Sequence, residues 1–379
     1  MRKIIEIIKK EAMLSVSLLV AIISLFITPP SKALLTSIDW KTLATLFMLL
    51  SVLDGFKKEN LFLPVIRLAG SIKTQMGLTF FLVFSVFISS MFVTNDVSLI
   101  IFVPLTIILF RAGGQEQNII PTCVLENMAA VRGSLLTPFG SPQNLFLFSK
   151  SGVSAFSFMA HMSPLWIVSA ILLSCFIVFR FRKNLKAPIV VDKEAAGGTW
   201  TEEGKIRRVL YLALFILVII TIVTRTTLWP YVTAFVTLAL LVFDKKVFKR
   251  VDYALLLTFL CFFVFSSSIA ANPTISSFME SRVANNEYWW SLVISQVISN
   301  VPASIVLWPF TKNLWALLYG LDSAGLITII GSLASVINIR LYTREYPGKG
   351  KDFMKTFEVY GLIFFVIIVI PQMLLYQVI

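Results

Sequence analysis

Charge is scarce in this chain: 14% of its 379 residues are Asp, Glu, Lys or Arg, while 57% are hydrophobic. A soluble domain carries about 25% charged residues. Soluble folding could not hide so much apolar surface, so the surroundings must be largely lipid. Histidine is nearly missing, with His161 the sole example, and the three cysteines (Cys123, Cys175 and Cys261) sit in apolar runs without metal-type spacing. They read as reduced packing residues. A hydrolase or protease inside a membrane would need a Ser–His pair, an Asp pair or a His-Glu-x-x-His zinc motif, and no such spacing is present. The chain therefore reads as no enzyme, and no cofactor is indicated. A small-residue cleavage site is also missing after the first apolar run, which ends in Thr28-Pro29-Pro30. That run reads as a retained helix rather than a signal peptide.

What the chain does have is apolar runs. They predict helices near 13–28, 41–55, 75–93, 97–110, 118–150, 163–181, 207–225, 229–243, 252–270, 287–299, 301–319, 323–341 and 355–376. A crossing needs roughly 20 apolar residues, so the length allows on the order of ten crossings and no large soluble domain. The net charge of +13 gathers at Arg2–Lys10, Lys57–Lys73, Arg180–Arg208, Lys245–Arg250 and Arg340–Lys355. Lys and Arg collect in cytoplasmic loops, so these clusters predict a multi-pass protein of the bacterial cytoplasmic (inner) membrane with its N-terminus inside. The positive charge is then an orientation signal with some attraction to anionic lipid, and nucleic acid is not an expected partner. Residues 182–206 read as a polar cytoplasmic linker, too short to fold alone. Asp54 is expected to face cytoplasmic water, His161 to anchor a helix at the external interface, and Trp229, Trp289 and Trp290 to mark the interfacial belt.

Two pairs of runs, 75–93 with 97–110 and 287–299 with 301–319, are joined by almost no loop, and one member of each is short for a crossing. Each pair reads as a re-entrant hairpin, the first (75–110) entering from the cytoplasm and the second (287–319) from outside. Roughly nine full crossings then remain. The two hairpins share a pattern: Thr94, Asn95 and Pro104 recur as Ser299, Asn300 and Pro309, each 205 positions on. Gly133-Ser134-Leu135 recurs as Gly331-Ser332-Leu333, and Ile38-Asp39-Trp40 as Val251-Asp252-Tyr253. The expected organisation is a first repeat over 1–181, the linker, a connecting helix over 207–225 and a second, inverted repeat over 226–379. Inverted repeats are a recurrent design of secondary transporters, because two near-equivalent packings give inward-open and outward-open states.

Each repeat holds two polar breaks: Thr94-Asn95-Asp96, then Gly133 to Asn144 in the broken helix 118–150, and Ser299-Asn300-Val301-Pro302, then Gly331 to Ser335 in the broken helix 323–341, with Asn338 beyond. Non-helical backbone survives in a membrane only around a cavity or inside protein. Small polar residues also let helices pack closely, but four symmetric placements favour a site. Candidate substrate or ion ligands are Thr94, Asn95, Asp96, Ser134, Thr137, Gly140, Ser141, Asn144, Ser299, Asn300, Pro302, Gly331, Ser332 and Ser335. Their neutral oxygens suit a small hard cation, with Na+ expected at Thr94, Asn95, Ser299 and Asn300, while helix N-termini facing the cavity favour an anion. Ionisable residues inside a membrane point to function by default. Asp96 could bind a cation or a proton. Arg132 could pair with Asp96 across the cavity or hold an anion in bidentate fashion. Glu126, six residues and about 240° away on the same helix, should not pair with Arg132.

At these residues the chain resembles the ion transporter superfamily, which includes arsenite permeases, sodium/proton antiporters, citrate transporters and divalent anion:sodium symporters. The stretches from Phe92 to Leu105, Gly133 to Asn144 and Ser295 to Pro302 carry the likeness, and it is closest to short bacterial anion permeases. The resemblance implies an all-α polytopic fold with a scaffold domain and a transport domain that holds both hairpin tips and both broken helices. It implies sodium at the tips, an anionic substrate between them and a homodimer. The acidic third residue of Thr94-Asn95-Asp96 is more like the arsenite permease and antiporter branches, which leaves Na+ and H+ both open as coupling ion. The expected function is secondary active transport of a small anion, with a Na+/H+ antiporter as the alternative and a channel less suited to the paired inverted breaks. Orientation can be checked directly. A cysteine introduced by Gly198→Cys into a chain lacking its native cysteines should react with a membrane-impermeant maleimide only in inside-out vesicles. Labelling of intact cells would reverse the topology.

Overall fold

The computed structural model describes residues 12–29, 32–183, 185–189 and 204–378. The Arg2–Lys10 cluster and most of the linker lie outside these. The described chain is helical: α1 (Ala12–Ile27), α2 (Lys32–Ser37), α3 (Trp40–Lys58) and α4 (Leu63–Ala69) precede a helix pair, α5 (Gln75–Val93) and α6 (Asn95–Ala112). A broken helix follows, α7 (Ile119–Gly133) and α8 (Pro142–Ser151), and then α9 (Ala155–Phe181). Beyond the linker come α10 (Lys205–Thr224), α11 (Trp229–Asp244), α12 (Tyr253–Ala271) and α13 (Pro273–Val283). A second pair, α14 (Glu287–Ile298) and α15 (Asn300–Leu307), leads to a second broken helix, α16 (Leu314–Ala324) and α17 (Leu333–Glu345), and to α18 (Gly350–Val378). Among the described residues, seven helices are long and apolar enough to cross a membrane: α5, α6, α7 with its flanking turns, α9, α10, α12 and α18. This is an all-α, multi-pass membrane protein.

Local chemistry explains where the elements begin. Asp39 (φ −82, ψ 78) and Asp252 (φ −76, ψ 81) cap α3 and α12 with the same backbone, their carboxylates accepting from Thr42 N and Leu255 N. A capping carboxylate satisfies one of the free N–H groups of a first turn, which is why the Asp39-Trp40 and Asp252-Tyr253 blocks recur. The short helices α2, α4 and α13 were not expected from apolar runs. The capping signal of α13 is nonetheless present, since Pro273 takes the first turn and Asn272 Oδ1 accepts from Thr274 N and Ile275 N.

The two tips share a rarer geometry. Thr94 (φ 70, ψ 155) and Ser299 (φ 70, ψ 157) each stand alone between two helices in a region that otherwise holds glycine. Such a backbone costs of order 1–3 kcal/mol and persists where the surroundings fix it. Both tips are buried. The pairs differ in length. The arms of the second have 12 and 8 residues, about 18 and 12 Å, too short to cross. The second arm of the first pair, expected to be short, has 18 residues, or about 27 Å, so length alone does not make it re-entrant. The second pair also ends earlier than 319: α15 closes at Leu307 and a 3-10 turn at Phe310, and the second broken helix starts at Leu314 rather than 323. The polar loop Thr311-Lys312-Asn313 interrupts what reads as one apolar run.

One expected match shifts register. Gly133 ends α7, whereas Gly331 lies just before the cap of α17, so Gly133-Ser134-Leu135 and Gly331-Ser332-Leu333 are not structural counterparts. The counterparts lie 191 positions apart: Thr137, Gly140, Ser141 and Asn144 against Thr328, Gly331, Ser332 and Ser335. Ser141 (φ −148, ψ 154) and Ser332 (φ −144, ψ 137) both sit at the helix start. A Cβ on Gly140 would meet Ser134 O at 2.2 Å, and one on Gly331 would meet Ala324 O at 2.1 Å. Asn144 Nδ2 donates to Ser134 O (3.4 Å) as Ser335 Oγ donates to Gly325 O (3.4 Å), again 191 apart.

Two apolar cores organise the bundle. One gathers residues of α3, α8, α10–α12 and α14–α16, the other residues of α5, α6, α7, α17 and α18, while the long α9 contributes Phe158, Met162 and Leu165 to the first and Leu173, Ile177 and Phe181 to the second. Each broken helix passes from one core to the other, α7 to α8 in one direction and α16 to α17 in the reverse. Consequently α6 of the first pair packs on α17, and α15 of the second packs on α8. The start of the linker is held as well: Gln75 N donates to Ala187 O (3.0 Å) and Ile189 N to Lys73 O (2.9 Å). Overpacking a tight core costs about 1–3 kcal/mol, and Gly140→Ala and Gly331→Ala should each lower thermal stability in detergent, read by tryptophan fluorescence, by about that much. Thr94→Gly should not. Wild-type unfolding temperatures for both alanine variants would show that the close approaches are not required.

Candidate functional site

The first tip and the first break meet. Asn95 N donates to Gly140 O (3.2 Å), Thr137 Oγ1 to Met91 O (2.5 Å), and Asn95 Oδ1 accepts from Asp96 N (2.9 Å). Ser141 caps α8 by accepting from Asn144 N (3.4 Å), and the Asn144 amide reaches back to Ser134 O. The Ser134 hydroxyl donates to Val131 O (3.2 Å). Thr94, Asn95, Ser134, Thr137, Gly140, Ser141 and Asn144 thus lie together. Beside them lies a cavity of about 100 Å³ whose wall includes Thr94, Asp96, Ser141, Lys57 and Asp252. Asp96 Oδ1 is buried there with no hydrogen-bond partner among the described residues.

The second tip meets the second break in the same manner. Asn300 Nδ2 donates to Leu321 O (3.3 Å), the Ser299 hydroxyl to Asn300 Oδ1 (3.4 Å), and Gln296 bridges Ala324 O (3.2 Å) and the Thr328 hydroxyl (2.7 Å). Pro302 lies in the first turn of α15, where a missing N–H leaves no bond unmade. Ser335 accepts from Asn127 Nδ2 (2.9 Å), and Asn338 Nδ2 donates to Cys123 O (2.7 Å), joining α17 to α7. No hydrogen bond among the described residues joins Asn95 to Asn300, so the tips form two sites rather than one contact.

Arg132 does not pair with Asp96. Its side chain is fully buried, with Nε donating to Ser169 Oγ (3.0 Å) and Nη1 to Asp322 O and Ser323 Oγ (both 3.3 Å). Asp96 belongs instead to the cavity with Lys57 and Asp252. Asp322 was missed as a site residue, although it is a lone carboxylate inside the apolar run 314–326, which is the signal for function within a membrane. It is 1% exposed, and its Oδ1 accepts from Gln143 Nε2 (3.2 Å). The network continues through Ser323 to Gln372 (2.6 Å) and on to the Tyr288 hydroxyl (2.6 Å). Glu126 stands apart from it, accepting from the Thr106 hydroxyl at 2.5 Å. Asp54 pairs with Arg250 (2.6 Å), and the His161 ring stacks on Trp315 at 4.0 Å rather than reaching any break.

Comparison with known proteins identifies the architecture. Residues 4–318 match the family described as "Citrate transporter". The chain belongs to the citrate transporter family. It is 31% identical over 326 residues to "Inner membrane protein YbiR" of Escherichia coli (strain K12), a match covering 84% of each chain. It is 30% identical over 306 residues to "Uncharacterized transporter MJ0456" of Methanocaldococcus jannaschii, covering 80% of this chain and 81% of that one. A "46 kDa membrane protein" of Mycobacterium leprae is 22% identical over 348 residues, covering 81% and 79%. This citrate transporter family member is therefore a membrane transporter and not an enzyme. Removing one partner of a buried charge pair costs about 3–5 kcal/mol, because the other is left uncompensated. Arg132 reaches Asp322 through its main-chain carbonyl and not through a direct ion pair, so Arg132→Met should destabilise the protein by at most that much, and adding Asp322→Asn should restore part of the loss, as measured by thermal unfolding of the single and double variants. Additive losses would mean that the two charges do not interact.

Proposed function

We propose that this transporter moves a small anion across the cytoplasmic membrane by alternating access, coupled to a Na+ or H+ gradient, with its N-terminus in the cytoplasm. Di- and tricarboxylates are the first substrate class, given the family, and inorganic oxyanions such as arsenite the second. The observation that carries this reading is the exchange of elements between the cores. Each broken helix crosses from one core to the other, and each half-helix beyond a break packs on the opposite hairpin arm. Together with the matched tips at Thr94 and Ser299, this supports two inverted repeats and a transport domain built from both hairpins and both broken helices. The Thr94, Asn95, Ser299 and Asn300 oxygens would hold Na+, and the N-termini of α6, α8, α15 and α17 would favour the anion. A homodimer fits the scaffold half of this design.

A Na+/H+ antiporter is the second reading, favoured by the grouping of Asp96, Asp252 and Lys57 around one cavity. Solid-supported-membrane electrophysiology on purified protein in liposomes separates the two. Citrate, other carboxylates and arsenite are pulsed with and without a sodium gradient, at two pH values. Anion transport should give a current that needs both the anion and an ion gradient, and Asp96→Asn should reduce it at least about tenfold, a loss of 1.4 kcal/mol or more. A sodium- or pH-driven response with no anion dependence would move the protein to the antiporter reading.

A further inference from the structure

We propose that Asp322 is the binding site of a coupled proton, and that its protonation releases Arg132 to hold the anion; this rests on the anion-transport reading. Four buried polar atoms of this region have no hydrogen-bond partner among the described residues: Asp322 Oδ2, Gln143 Oε1, Asn144 Oδ1 and Arg132 Nη2. Buried polar groups are nearly always satisfied, and each exception needs an explanation. Three of the four are acceptors and only one is a donor. A proton on Asp322 turns one acceptor into a donor, leaving two of each. The Gln143 amide already lies on the carboxylate, and by turning over it presents its oxygen to the new O–H.

Charge gives the same direction. Arg132 reaches Asp322 through the main-chain carbonyl, and no ion pair within 4.0 Å joins its guanidinium to that carboxylate. With Asp322 ionised the two charges offset each other within the buried cluster. With Asp322 neutral, the buried guanidinium keeps a free N–H and an uncompensated positive charge, which an anion would satisfy. Proton and anion then bind together and leave together. Sodium fits less well, since a hard cation takes several oxygens and the cluster already contains a guanidinium. Arg132 from α7 is the charged group facing Asp322, and α14 brings Tyr288, joined through Gln372 and Ser323, and Glu287, held by Lys312 N and Asn313 N. Tyr288 is engaged with Gln372, α8 supplies Gln143 with its only charge, Lys150, paired to Asp39, and α18 supplies Gln372.

The location suits coupling. By the 191-residue relation Arg132 is the counterpart of Ser323, and its Nη1 donates to that side chain. On the inverted-repeat reading, a residue that touches its own counterpart lies at the axis between the halves. A proton site there is reached from either side of the membrane by one exchange of packing, whereas a site at either tip is tied to one half.

The test uses Asp322→Asn, which mimics the protonated carboxyl, in liposomes loaded with citrate. Wild type should accumulate citrate when an inward proton gradient is imposed. Asp322→Asn should lose that accumulation but retain citrate–citrate exchange, which also shows that the variant is folded. Proton-driven accumulation surviving in Asp322→Asn, or being lost in Asp96→Asn but not in Asp322→Asn, overturns the proposal. Infrared difference spectroscopy between acid and neutral pH supplies a readout that needs no substrate. A carboxylic C=O band present in wild type and missing from Asp322→Asn is expected, and its absence from wild type overturns the proton site even if no tested anion is carried. Wild type showing that band but moving no anion would support the proton site and fault the anion reading instead.

Discussion

A peptide group that leaves a helix inside a membrane has no water to bond with, and leaving it unpaired costs several kcal/mol. Four breaks of this chain lie in that position, and their placement governs the rest of the fold. Each tip is pressed against a break of its own half, Asn95 N on Gly140 O and Asn300 Nδ2 on Leu321 O, so that one irregular segment satisfies another. Each break also folds closely on itself, which is why Gly140 and Gly331 stand where any Cβ would collide with a carbonyl of the same break, Ser134 O and Ala324 O. The tip contacts hold Thr94 and Ser299 in a backbone that neither residue would adopt alone.

The same requirement divides the interior. Two apolar cores lie on either side of the breaks, and the polar residues concentrate where the broken helices cross between them. A core of close-packed side chains does not deform continuously and moves as a body. On the proposed reading the seam is where such bodies would shift relative to each other, since buried hydrogen bonds lie there together with a few apolar side chains, Phe62, Ile101, Trp166 and Phe365, that touch both cores. Arg132, Gln143, Asp322, Ser323 and Gln372 span that seam, joining α7, α8, α16 and α18. Their network links these helices yet leaves three of its own polar atoms, Arg132 Nη2, Gln143 Oε1 and Asp322 Oδ2, without a partner among the described residues, as the proposed change of partners requires.

Much of this was legible in the residues. Apolar runs placed most helices to within a few positions, and the Thr94-Asn95 and Ser299-Asn300 blocks marked both tips, because a tip between two helices must be abrupt and polar. The helix breaks were legible from Gly, Ser and Pro, but their register was not. Gly-Ser-Leu occurs at the end of one helix and the start of another, and only the caps at Ser141 and Ser332 show which serines correspond. Three-dimensional partnership was not legible either. Arg132 and Asp96 are both charges near breaks, yet they lie at different places, and the residue that faces Arg132 is 190 positions away. Asp322 stood in plain view as the single carboxylate of its apolar run, and no repeat pattern pointed to it.

Across the 191-residue relation Val131 corresponds to Asp322 and Arg132 to Ser323, so the backbone is matched where the charges are not. A matched backbone keeps two packings within a few kcal/mol of each other, the range in which ligands can shift a population. Charges at unmatched positions do the opposite, since they meet different surroundings in each packing. On the proposed reading the fold supplies two nearly equal states and the Arg132–Asp322 asymmetry makes their balance depend on what is bound. A ligand without differential affinity for the two states shifts nothing, and a buried guanidinium whose Nη2 has no partner among the described residues, near a carboxylate that can be neutralised, is a direct means of creating that difference.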